Sequence, residues 1–306
     1  MDNQLKPRFA VVANAHSGAA AVLGQAALTE LIHNTLGSEL LMCDVVESEF
    51  VNAALETAFA SAAEVVVAIG GDGTCRSAAT LARLTNKEVA FLPGGTMNLL
   101  PGRHWPNMDL TETLQALAAG AYEASTIDIG QVNDELFLIA VAFGAAPALS
   151  RFRESHRSAE TLVETMKNLV EVAKVIPHLM RPSARLEAKG VTRNRLAALA
   201  IVVGNADLAL GRLDADNVTQ TLECVGVEMA SPFSFFALML RAFLDPNWRA
   251  DNKVTTSHIT QGKVYSKSRA IAMTLDGEVV RLVSPAHVKL LVNGLRVLVH
   301  APKKLD

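Results

Sequence analysis

Along the first 120 residues, short continuous apolar runs alternate with longer segments of helical period. "RFAVVAN" (8–14), "ELLMCDVV" (39–46), "EVVVAIG" (64–70) and "EVAFLPGG" (88–95) read as buried strands. Helical periodicity covers roughly 19–36, 49–61, 74–84 and 109–119. The last of these opens with Asp109 and Glu112 in capping-box spacing and stops at Gly120, which suits a C-terminal cap. Strands alternating with helices at these lengths predict βαβ units and a parallel sheet.

The pattern changes near residue 124. "ASTIDIGQV" and "ELFLIAVAFG" flank Asn133-Asp134 and read as an antiparallel hairpin. Helical period over 154–176 stops near Pro177, and "PFSFFALMLRAFL" (232–244) reads as a helix among short strand-like runs. The fold class predicted is an α/β N-terminal domain with a parallel sheet, followed by a mainly-β domain, a sandwich or curved sheet. The corresponding division is 1–124 for the α/β domain, 125–295 for the β domain, and a tail at 296–306 returning to the first. A length of 306 residues fits two domains.

Composition narrows the class. Half of the residues are hydrophobic, which supplies a sizeable core and excludes a disordered chain. Lys plus Arg number 28 against 31 Asp plus Glu, so no global basic excess points to nucleic acid. Cys43, Cys75 and Cys224 form no CxxC pair and fit a reducing compartment. "MDNQLKPRFAVVAN" lacks the layout of a signal peptide, and the longest apolar stretches, near 136–149 and 196–203, are too short to span a bilayer. The expectation is a cytoplasmic protein, with contact to a membrane surface left open.

Two glycine-bearing loops follow neighbouring strands: Gly70-Gly71-Asp72-Gly73-Thr74 and Gly94-Gly95-Thr96-Met97-Asn98. Ligands of an open parallel sheet bind outside the carboxyl ends of its strands. Glycine lets backbone approach a phosphate, N–H groups at a helix start favour anions, and Thr74 and Thr96 add hydroxyl donors. Asp72 would repel a bare phosphate, so its natural use there is to hold Mg²⁺. Either loop alone is an ordinary strand-to-helix turn. Together, one of them acidic, they point to a phosphate site with magnesium. Neither a Walker lysine nor GxGxxG is present. Asn14, Ser17 and Gly18, after the first strand, offer a third set of donors that by itself reads as an N-cap.

Asn14-x-x-Ser17-Gly18, Gly70-Gly71-Asp72-Gly73-Thr74 and Gly95-Thr96-x-Asn98, with Ile127-Asp128-Ile129-Gly130 and Leu275-Asp276-Gly277-Glu278, resemble in order the motifs of the diacylglycerol kinase catalytic-domain family. That family includes bacterial lipid kinases, sphingosine kinases and ceramide kinases. The resemblance implies ATP between an α/β domain and a β-sandwich, and transfer of its γ-phosphoryl group to a lipid hydroxyl. It implies that Asn14, Ser17, Gly18, Gly70, Gly71, Gly73, Thr74, Gly95, Thr96 and Asn98 line the nucleotide. Asp72 would handle Mg²⁺, Glu278 would be the general base, and Asp128 a supporting acid. A plain Asp276-Gly277 hairpin with an exposed Glu278 is the other reading of the last motif.

The chain departs from the family pattern in places. Ala19 stands where a lysine is usual, leaving Arg76 and Arg103 as candidate phosphate-facing cations or as ordinary surface arginines. Leu99 replaces the aspartate that commonly follows GTxN, and Ala148 takes the place of a head-group aspartate. Thr219 and Gln220 replace the acids of a structural Mg²⁺ site, so that metal is expected to be missing; Asp214 and Asp216 read as loop residues. Arg151, Arg153 and Arg157 beside a long helical run, and the apolar 232–244, suit a peripheral membrane surface or, more plainly, an exposed loop and a core helix.

The leading expectation is thus an ATP- and Mg²⁺-dependent lipid kinase acting on diacylglycerol, ceramide, a sphingoid base or a related lipid. An NAD kinase-like nucleotide kinase and a catalytically silent nucleotide- or lipid-binding regulator are the alternatives. A homodimer is left open.

Overall fold

The apolar runs of the N-terminal third form strands, and the periodic runs between them form helices. The structure, a computed structural model, describes residues 7–95, 98–144, 184–204, 206–207, 212–213, 220–228 and 248–301. The chain divides into two units, Met1–Asp128 with Val292–Asp306, and Ile129–Leu291.

The first unit begins with β1 (Phe9–Asn14), α1 (Gly18–Leu23), α2 (Gln25–Leu36), β2 (Leu40–Val46) and α3 (Val51–Ala60). It continues through β3 (Val65–Gly70), α4 (Asp72–Thr85), β4 (Glu88–Pro93), α5 (Leu99–His104) and α6 (Leu110–Ala119) to β5 (Tyr122–Val132). The strands lie in the order β2-β1-β3-β4, all parallel. Phe9, Val11, Val67 and Ile69 pack with Leu28 and Ile32 of α2 and Leu114 of α6. The alternate residues Ala10, Val12, Val66 and Ala68 are equally buried, and α3 and α4 pack beside β1 and β3. Burial on both faces is why these strands read as continuous apolar runs rather than alternating ones.

Three local differences from the sequence reading have backbone causes. Gly24, at φ 81°, divides the expected helix over 19–36 into α1 and α2. Helix α4 starts at Asp72, two residues before the periodic run. Helix α5 contains Pro101 and Gly102, which hid it from a propensity argument. The capping box of α6 forms as expected, with Glu112 N–H donating to Asp109 at 2.8 Å and Asp109 N–H to Glu112 at 2.9 Å.

The second unit is mainly antiparallel. After β5 come β6 (Glu135–Phe137), β7 (Ala140–Gly144), β8 (Ala184–Ala188), β9 (Val191–Val203) and the short β10 (Ala206–Asp207) and β11 (Arg212–Leu213). β12 (Leu222–Glu228), β13 (Val254–Ile259), β14 (Gln261–Ser266), β15 (Ala270–Leu275), β16 (Glu278–Val283) and β17 (Ala286–His300) follow. β17 then enters the first unit, where Val297 pairs parallel with Val89 of β4. β9 is the hub: its first half pairs with β8, its second with β7 on one side and β12 on the other. Val141, Phe143, Leu186, Leu199, Ile201 and Met273 centre the core.

Asn133, at φ 50°, makes the expected turn between β5 and β6, with Val132 opposite Glu135. Gly130 faces Phe137, whose ring a Cβ would strike at 2.0 Å, so packing alone requires that glycine. Among the described residues, no helix is long and apolar enough to cross a membrane. The segments 154–176 and 232–244, Arg151, Arg153, Arg157, Ala148, Asp214, Asp216 and Thr219 lie outside the described residues.

Candidate functional site

From β1 the chain moves outward to β2, then returns past β1 to β3 and on to β4. A crevice opens at such a reversal, outside the carboxyl ends of the strands. Asn14 ends β1, Gly70 ends β3 and Pro93 ends β4, so the three candidate loops gather at that end of the sheet. Their backbones touch: Ala19 N–H donates to Gly94 O at 3.3 Å, and a Cβ on Gly95 would sit 3.0 Å from Gly71 Cα.

Glycine is forced at Gly94, where a Cβ would lie 2.6 Å from Gly70 N and 2.9 Å from Ile69 Cγ2. Gly71 is different, because no atom of the described residues lies within 4 Å of its Cβ position. It is the N-cap of α4, and its missing side chain leaves open space over the helix start. Gly94→Ala is therefore expected to destabilise the protein by about 1–3 kcal/mol, read as a lowered denaturant midpoint. Gly71→Ala should lose about 1 kcal/mol or less, the cost of alanine at an N-cap, in the same measurement.

Asp72 occupies the first position of α4, half-buried, with Gly73 in the same turn and Thr74 buried behind Gly70. Ser17 caps α1, its hydroxyl oxygen accepting from Ala20 N–H at 3.2 Å. Asn14 serves its own loop: Oδ1 accepts from His16 N–H at 2.9 Å and from the Ser48 hydroxyl at 3.1 Å. Asn98, left-handed at φ 47°, turns Oδ1 back to accept from Gly95 N–H at 2.8 Å and Gly94 N–H at 3.2 Å. The sequence reading offered glycine amides of this loop to a phosphate; the structure has Asn98 use them to lock the loop. Thr96 lies outside the described residues.

Asp128 accepts Asn293 N–H at 2.7 Å. Arg103 is half-buried beside it, not a free surface arginine. Burial lowers the Arg103 guanidinium from its ordinary value, and the Asp128 carboxylate opposes that. No sequence signal brings these two charges within range of each other; only the fold does. Arg76 is half-buried on α4.

In the second unit, Leu275 pairs with Glu278, leaving Asp276-Gly277 as a two-residue turn at φ 48° and 95°. Both positive angles suit the type I′ hairpin that Asp-Gly predicts. Glu278 opens β16 and is exposed. Asp276 is buried, and its carboxylate accepts Leu138 N–H at 2.8 Å, Ile139 N–H at 2.8 Å and Ala140 N–H at 2.9 Å. Sequence reasoning missed this role for Asp276.

Comparison with known families gives a match over the α/β unit. Residues 8–132 match the diacylglycerol kinase catalytic domain. The match takes in every candidate residue from Asn14 to Asp128 and leaves Glu278 outside it. Two solved structures from Bacillus anthracis str. Sterne are similar over nearly the whole chain. One, described as a "putative diacylglycerol kinase", has a TM-score of 0.69 at 15% identity over 99% of both chains. Another, described as a diacylglycerol kinase, has a TM-score of 0.63 at 13% identity over 97% of both. At that identity the likeness establishes the fold: an α/β domain with parallel strands followed by a mainly-β region.

One residue of this α/β unit carries a pH signature. His104 is buried, stacks on Phe91 at 6.0 Å, and neither ring nitrogen has a hydrogen-bond partner among the described residues. Burial, helped by the Arg103 charge, pushes its imidazole from 6.5 down to about 3. As pH falls below about 6.5, the unfolded chain takes up this proton first, so stability is lost between about 6.5 and about 3. The expected loss is about 2 kcal/mol between pH 7 and pH 5, measured by urea unfolding. His104→Phe should remove that part of the slope.

Proposed function

We propose that the protein is an ATP- and Mg²⁺-dependent lipid kinase that phosphorylates a lipid hydroxyl. The observation that carries this reading is the meeting of three loops at the reversal of a parallel sheet, with Asp72 at the head of a fourteen-residue helix. The catalytic-domain match supports it, and the donor set fits the cofactors. The open space over Gly71, the N-terminus of α4 and the Ser17 hydroxyl suit phosphate oxygens. Asp72 is a single carboxylate, which suits a Mg²⁺ that takes its other ligands from water and phosphates. When bound, the ion neutralises charge on the phosphoryl oxygens.

The residues of the chain would do the rest. Ser17, Gly71, Gly73 and Thr74 orient the triphosphate, Asn98 holds the third loop closed, and Asp128, held by the Asn293 N–H, is the supporting acid. Glu278 accepts the proton of the lipid hydroxyl. Ala19 leaves this first loop without a lysine.

The test is transfer of labelled phosphate from ATP to diacylglycerol, ceramide and a sphingoid base in mixed micelles, with Asp72→Ala as control. Transfer that vanishes in the control supports the reading. ATP binding with no transfer to any lipid would turn it toward a silent regulator, and formation of NADP from NAD toward a nucleotide kinase. Gly71→Ala supplies a further check: ATP affinity should fall about tenfold or more with the chain still folded, because the added methyl enters space that belongs to the ligand.

A further inference from the structure

Strands β8, β14 and β17 lie side by side in antiparallel register in the second unit, with Lys263 between Glu187 and His287, and Gln261 beside Lys289. Their inward residues Leu186, Val264 and Val288 are buried in the core. Their outward residues alternate with these and form an open depression of about 560 Å³ lined by Glu187, Lys189, Lys263, Tyr265, His287 and Lys289, among others. The sequence as a whole carries a net charge of -3, yet this face gathers three lysines, a histidine and, beside Tyr265, Arg185.

The acid on this face is already occupied. Glu187 pairs with Arg185 and takes the hydroxyl of Tyr265, while the Arg185 guanidinium lies over the Tyr265 ring at 5.9 Å. Lys189, Lys263 and Lys289 are exposed and have no ion pair among the described residues. Neighbouring strands are about 5 Å apart and alternate residues on one strand about 7 Å apart, so the three ammonium groups fall within roughly one or two Debye lengths of one another. Holding them together unpaired is unfavourable unless something anionic meets them.

We propose that this face docks an anionic bilayer surface. A patch only three strands wide, with lysines free to rotate, suits many mobile anionic head groups better than the ordered phosphates of a duplex. Tyr265, apolar in body and polar at its tip, suits the head-group level beside Arg185 at one end of the patch. The choice of a bilayer over another polyanion rests on the lipid kinase reading, whereas its test reads binding without ATP and is independent of phosphoryl transfer.

The experiment is sedimentation of the full chain with phosphatidylcholine vesicles, with and without phosphatidylserine at about one-third of the lipid. The parent should bind the anionic vesicles and release them when salt is raised from about 0.1 M to about 1 M. Each lysine near such a surface contributes about fivefold in affinity. Lys189→Ala, Lys263→Ala and Lys289→Ala combined should therefore weaken binding about 100-fold, while the three Lys→Arg changes keep it. Circular dichroism confirms that both variants fold. Binding by the alanine variant within about threefold of the parent overturns the proposal, as does a parent that ignores phosphatidylserine. So does a patch whose loss abolishes binding to an oligonucleotide or an acidic peptide but leaves vesicle binding intact. Failure of the kinase reading would instead appear as absent transfer in micelles with vesicle binding preserved.

Discussion

Asp276→Ala is expected to cost about 3–5 kcal/mol of stability, enough to unfold a marginal domain. The carboxylate accepts three consecutive backbone N–H groups at 2.8–2.9 Å, from Leu138, Ile139 and Ala140. Leu138, Ile139 and Ala140 are all buried, so water is poorly placed to replace the lost acceptor. An unsatisfied buried donor costs about 1–3 kcal/mol, and hydrogen bonds to a charged group lie at the upper end. The isosteric Asp276→Asn separates the contributions. One amide oxygen can still serve Ile139 and Ala140 from the Oδ1 position, while an NH₂ at Oδ2 would face the Leu138 N–H donor. That variant should lose about 1–3 kcal/mol. Urea unfolding at neutral pH measures both. An alanine variant within about 1 kcal/mol of the parent would show that the segment at 138–140 finds other partners.

This clamp also explains where the sequence reading failed. "ELFLIAVAFG" reads as one continuous strand, because its residues are apolar and β-prone throughout. It is two strands, β6 and β7, with Leu138 and Ile139 between them. The amides that would have continued a ladder turn instead to a carboxylate 136 to 138 positions along the chain. Local periodicity cannot report such a partner. The features that were legible depend on local chemistry: the Asn133 and Asp276-Gly277 turns, the Asp109–Glu112 box, and the two-face burial of β1, β3 and β4. Those that were not legible are all matters of pairing. Asn98 locks its loop through a side-chain oxygen that a motif reading assigns outward. Arg103 comes within range of the Asp128 charge only in the folded unit, and Lys263 and Lys289 become neighbours only when β14 pairs with β17.

On the proposed mechanism, Glu278→Gln should lower the turnover of lipid phosphorylation by about 10²- to 10⁴-fold while leaving ATP affinity unchanged. Glutamine keeps the size of the side chain and removes its ability to accept a proton. Glu278 is exposed at the first position of β16, so stability should change little. The hairpin beneath it is held by the Asp276 clamp and the Leu275–Glu278 pair, which the substitution leaves intact. This separation makes the experiment decisive. A general base contributes to the transition state, so turnover and kcat/KM should fall together with little change in KM. A residue that only shaped the hairpin would instead lower the unfolding midpoint. Activity within about threefold of the parent would remove Glu278 from the chemistry and leave proton acceptance to solvent or to another carboxylate. Asp276→Asn supplies the matching contrast, because it weakens the support of the turn without touching the Glu278 carboxylate. If Glu278 acts as base, its glutamine variant loses turnover while remaining fully folded, whereas the Asp276 variant loses stability first.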